Sequence, residues 1–140
     1  MIKKIMIITF VGCFLISCAP VAKAVLGTKK VEEAAEKIVN NESEEINKNK
    51  MRLSSSFEKF LESEKGEAYF KNINEKLGKL EHLEIDRLKG SLSDTMNYRM
   101  KAWFKDSDIL QEVRVQTFNK REILDVVVIP WDDEMNSPKK

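Results

Sequence analysis

The period of the apolar positions changes twice along this chain. From Ile5 to Ile16 twelve residues run almost without interruption, with Thr9 the one polar side chain. From Thr28 to about Lys50, Lys, Glu and Ala are frequent and no proline intervenes, which favours helix. Val31, Ala34, Ala35, Ile38 and Val39 give the first half of that stretch one apolar stripe at helical spacing. Its second half, Asn40 to Lys50, has Ile46 as its single apolar residue and reads as a solvated helix or spacer. Ser55 and Glu58 form a capping-box pattern ahead of Phe57, Phe60 and Leu61, predicting a short amphipathic helix that Gly66 interrupts. Phe70, Ile73, Leu77 and Leu80 then share the face of a further helix, whose last turn Gly78 weakens.

After about His82 the period becomes two. Leu83 and Ile85 alternate with acids. Met96, Tyr98, Met100, Ala102 and Phe104 alternate with Asn97, Arg99, Lys101 and Trp103, as a half-buried strand requires. Val113, Val115 and Thr117 continue the pattern beyond the turn composition Lys105-Asp106-Ser107-Asp108. Asn119-Lys120 marks a tight turn, and Ile123 to Trp131 predicts a last strand whose unbroken Val126–Ile129 run suits a central or doubly covered position. Helices followed by consecutive strands specify an α+β fold: N-terminal helices on one face of a three- to four-stranded antiparallel β-meander. The arrangement resembles the small cystatin-like α+β folds, a likeness of architecture that implies no function.

The N-terminus carries an address. Met1-Ile2-Lys3-Lys4 is a basic start, and the apolar run behind it is short of the ~20 residues a membrane-spanning helix needs. Its length and flanks are those of a signal-peptide core. The run ends in Leu15-Ile16-Ser17-Cys18, which resembles the lipobox of bacterial lipoproteins. In that class the cysteine thiol is joined to diacylglycerol and a dedicated peptidase cuts before it, so the resemblance implies lipid attachment at Cys18 and an acylated, palmitate-bearing N-terminus. Two or more acyl chains anchor stably where one is marginal. An ordinary signal peptide cut near Ala24, or an uncleaved anchor, are the alternatives. Ala19 stands where an aspartate would signal inner-membrane retention in enteric bacteria, which favours the outer membrane. The organisation expected is a signal peptide over 1–17, a tether over 18–27, a helical spacer over 28–50, an α+β domain over 51–135 and a flexible tail over 136–140.

Composition narrows the chemistry. Net charge is +1, and the first seventeen residues hold two lysines and no acid, so the remainder carries −1. Its basic residues are interspersed with acids, which leaves no footprint for nucleic acid. Loss of Cys13 with the signal and acylation of Cys18 would remove both cysteines of the chain, and with them thiol catalysis and disulfides. The one histidine, His82, has no motif around it to supply a nucleophile and an orienting acid. Asp106, Asp108 and the Asp132-Asp133-Glu134 group lack the spacing of a calcium loop, so no metal and no cofactor is expected.

Recognition remains as the expected role. Trp103 and Phe118 alternate out of phase with the core positions, and with Arg99 and Arg114 they would share an open sheet face. Aromatic residues and arginine are the types enriched at interfaces. The sequence therefore leads to a non-enzymatic envelope lipoprotein, held to the membrane by its N-terminal lipid and binding a protein partner. A hydrolase or metal-dependent enzyme using His82, Asp106 or Asp108 is the alternative, as is a structural subunit of an envelope complex.

Overall fold

The computed structural model describes residues 19–91 and 94–132, with side chains from residue 27 onward, so Cys18 and the segments 1–17 and 136–140 lie outside the described residues. Three helices, α1 (Ala19–Val39), α2 (Ser55–Glu62) and α3 (Glu64–Leu77), precede or interleave five strands. The strands are β1 (Arg52–Leu53), β2 (Leu80–Gly90), β3 (Thr95–Phe104), β4 (Gln111–Phe118) and β5 (Glu122–Pro130). They form one sheet in the order β1-β5-β4-β3-β2. The fold is α+β, but the sheet is mixed: β2 to β5 are the antiparallel meander, and β1 adds a fifth strand parallel to β5. Two residues without periodicity gave no sign of β1. Its pairing rests on Arg52 and Ser54 donating their N–H groups to the carbonyls of Arg121 and Ile123, at 2.7 and 2.9 Å.

The stretch expected as a spacer contributes a layer of the domain. Residues 19–27 are the first half of α1. Val31, Ala34, Ala35, Ile38 and Val39 are buried in the same core as Phe57, Phe70, Met100, Val113, Val115 and Val126. Burying a valine or isoleucine contributes about 1.5–3 kcal/mol, so the three large side chains of this stripe supply a share comparable to the whole stability of a small domain. Periodicity showed the stripe but not what it would pack against. The helix end is fastened to the sheet at one point: Asn40 accepts from the Leu80 N–H (2.8 Å) and donates to its carbonyl (3.1 Å). Beside it Glu42 accepts from both Lys37 and Lys79, at 3.3 Å each.

Local chemistry sets the other boundaries. The N-cap of α2 is Ser54, one residue earlier than the capping-box pattern indicates, with its hydroxyl accepting from the Phe57 N–H. Ser63 ends α2 and caps α3 by accepting from the Gly66 N–H. Gly66 therefore lies inside α3 and does not break a helix. A Cβ there would stand 1.9 Å from the Phe60 carbonyl oxygen, so the two helices can meet this closely only at glycine. Gly78, at φ 77° and ψ −168°, is in a region nearly closed to other residues and ends α3, which makes Leu80 the first residue of β2 and not the last of a helix. Asn119 and Lys120 both take positive φ, as a primed hairpin turn demands.

β5 is not central. β1 covers only its first two residues. Further along, the Tyr69 hydroxyl accepts from the Val128 N–H (2.9 Å) and donates to the Val128 carbonyl (3.2 Å), taking the place of a neighbouring strand. Its apolar run is instead explained by contact on both sides, with Val126 in the core and Val127 and Ile129 half-buried on the opposite face.

Two outcomes test this architecture. A chain beginning at Met51, the expected domain boundary, should show no cooperative urea transition and no near-ultraviolet circular dichroism; a full-length-like transition would make α1 dispensable. The Lys37 and Lys79 hydrogen bonds hold Glu42 below its ordinary value of 4.5. A depressed carboxylate contributes stability above its unfolded value and loses it as pH falls through the folded one. Glu42→Gln should therefore lower stability at neutral pH, where the contribution is fully present, and flatten the acid limb of a stability–pH curve below about pH 4.5, so that the two curves converge in acid.

Candidate functional site

The helices cover one face of the sheet. On the other, pairing registers align side chains in transverse rows, because directly opposed residues of antiparallel strands share a face. Arg87, Arg99 and Arg114 form one such row across β2, β3 and β4. Lys89, Asn97, Gln116 and Asp125 form the next, and Glu84, Lys101, Glu112 and Ile129 the row on the other side. Like charges directly opposed across strands destabilise, so a row of three arginines needs counter-charge.

Glu112 supplies it. Its side chain has no solvent exposure. Arg99 Nε lies 2.8 Å from one carboxylate oxygen, and Arg114 Nε donates to the other. Arg99 is itself 12% exposed and reaches Asp86 at 3.3 Å. It also donates to the Asp132 carbonyl at 2.9 Å. The Trp131 ring lies over its guanidinium, 4.0 Å from centroid to Cζ, and Lys101 approaches the same ring at 5.3 Å. Trp131, expected as the end of the last strand, lies one residue beyond β5, and with Asp132 it folds back across the open face. A buried carboxylate with two guanidiniums and a covering indole is a compensated charge, which its desolvation cost requires.

The four residues expected to form an interaction surface share this face but play different parts. Arg99 is locked into the structure. Arg114 is 46% exposed on its side chain and faces both Glu112 and solvent. Trp103 and Phe118, each 39% exposed, stand at opposite ends. Trp103 is paired with His82, ring centroids 5.1 Å apart, and Phe118 with Thr95. Eight residues of β3 separate the two ends, about 27 Å of strand. Between them lies a groove of about 500 Å³, lined by Arg87, Lys89, Asn97, Arg114, Gln116 and Asp125 among others.

Glu112, Trp131 and Arg87 were not singled out from the sequence. Glu112 and Arg114 are two apart in one strand and so share a face, but their meeting with Arg99 depends on register, which alternation does not reveal. Of the residues weighed for catalysis, His82 is exposed with its ring tilted against Trp103, while Asp106, in the turn that follows β3, donates its N–H to the Leu77 carbonyl at the end of α3. Among the described residues no three His, Cys, Asp or Glu side chains gather as metal ligands, and no helix is long and apolar enough to cross a membrane. Compared with protein-family models, with curated proteins and with solved structures, the chain matches none.

Breaking a buried pair by removing one partner typically costs about 3–5 kcal/mol, whereas apolar replacement of the pair is often near neutral. Arg99→Leu should therefore be strongly destabilising in urea denaturation, and Glu112→Leu in the same chain should recover most of the loss. Strict additivity of the two changes would show that the ion pair does not organise this face.

Proposed function

We propose that this protein is a lipid-anchored, non-enzymatic component of the bacterial envelope, tethered through Cys18, whose helix-free sheet face receives a protein partner. The observation that carries the reading is the composition of that face. Two half-exposed aromatic side chains, Trp103 and Phe118, frame a row of arginines on a rigid sheet. Aromatic and arginine anchors dominate binding energy when a partner desolvates them. A frame about 27 Å long matches a small interface better than a small-molecule cleft. The outer membrane is the favoured location because of Ala19 beside the lipobox.

The two halves of the proposal are tested separately. Metabolic labelling with an alkyne fatty acid should tag the wild-type chain and not Cys18→Ser, which should also leave the membrane fraction; tagging of the variant would exclude the anchor. A photo-crosslinking amino acid at position 103 or 118 should trap the same discrete partner band in intact cells. Lys71, exposed on α3, serves as the control position. The same band from position 71, or none from 103 and 118, would refute this face as the contact surface.

A further inference from the structure

The groove between Trp103 and Phe118 has a polarity of its own. Of its cations, Arg99 is answered from within the fold by Asp86, Glu112 and the Asp132 carbonyl. Among the described residues Arg114 is held through its Nε, by Glu112, and almost half of its side chain reaches solvent. Arg87 and Lys89, exposed on the edge strand β2, are in no ion pair among the described residues. The floor between them is amide. Gln116 donates to the Asn97 side-chain oxygen at 3.2 Å, which leaves the Asn97 nitrogen as a donor and the Gln116 oxygen as an acceptor. Asp125, on the β5 side, is a carboxylate wall opposite the cations, with one oxygen accepting from the Val126 N–H.

This layout discriminates between anions. Among the described residues four cations line the groove, Arg87, Lys89, Arg99 and Arg114, against the lining carboxylate Asp125 and the two carboxylates paired with Arg99, Asp86 and Glu112. The surplus is a single positive charge, which one monoanionic group balances and which leaves the further charges of a polyanionic surface without partners. Guanidinium forks recognise carboxylate in two-point fashion. Arg87 and Arg114 lie on either side of β3, with Cα atoms about 10 Å apart, within joint reach of one such group. The acceptors on the other side, Gln116 and Asp125, call for N–H donors.

We propose that the groove binds an acidic peptide segment, with one Glu or Asp carboxylate clamped between Arg87 and Arg114 and the peptide N–H groups directed to Gln116 and Asp125. This deepens the reading of the open face as a contact surface and names the chemistry of its centre; it does not depend on the lipid.

The test is a titration of the uniformly 15N-labelled full-length chain in detergent micelles, followed by amide and arginine side-chain N–H resonances. The probes are a capped glycine-rich peptide with a single central glutamate, its glutamine counterpart, inorganic phosphate and phosphatidylglycerol vesicles. The glutamate peptide should shift the Arg87, Arg114, Asn97 and Gln116 side-chain signals, and the other three should not. Arg87→Gln with Lys89→Gln, both on an exposed edge, should weaken the affinity about tenfold or more without disturbing the remaining spectrum. Equal shifts with the glutamine peptide, displacement by phosphate or vesicles, an unaffected double variant, or no shifts at all would each overturn the proposal. Cross-links from 103 and 118 that persist while the peptide fails to bind would remove the groove's role and leave the face as a contact surface.

Discussion

Glu112 places a carboxylate on the helix-free face of the sheet and shields it completely from solvent. A group of that kind survives only when charge and hydrogen bonds replace the water it has lost. Arg99 and Arg114 supply them from the neighbouring row, Trp131 closes the site from above, and the Asp132 carbonyl fixes the outer edge of Arg99. The order of the open face follows from this one requirement. The arginine row is tolerable because a negative charge lies beneath it, and the chain end turns back because the guanidinium offers it a seat. The groove is left with those cations that Glu112 does not engage.

The covered face depends on a simpler balance. A meander of four strands has one apolar side, and α2 and α3 cover it only in part. The stripe of α1 completes the layer, so a segment that looks like a spacer by composition is a core element by position. The Asn40–Leu80 pairing and the Glu42 clasp mark where its end is fixed. Polar residues after Val39 therefore serve the fold by satisfying backbone and charge at a junction, which is why their low hydrophobicity misleads.

What the sequence made legible divides along the range of the interaction. Strands β3 and β4 could be read because alternation is a local signal, and the helix pattern of α1 and α3 for the same reason. The Asn119-Lys120 turn was legible without glycine because asparagine tolerates positive φ. β1 was not, since two residues have no period and its partner lies some seventy residues away in the chain. The cap of α2 fell one residue from its pattern because Ser54, Ser55 and Ser56 are chemically alike and only backbone geometry selects among them. On the open face, alternation correctly assigned Arg99, Trp103, Arg114 and Phe118 to one side. It could not distinguish an arginine that is held from one that is available, because that distinction is made by Glu112, Asp86 and Trp131, residues brought together by register and by a turn of the chain end.

The helical state of residues 19–27 has a mechanical meaning. Nine residues of slack coil would span about 30 Å and decouple the two ends of the segment, whereas nine helical residues span about 14 Å and transmit torque. Because the last turns of the same rod are wedged into the core, a pull at its first residue is felt as shear between helix and sheet. Helix and sheet then turn together as one short rigid arm, and the heading of the first helical turn fixes the heading of the sheet.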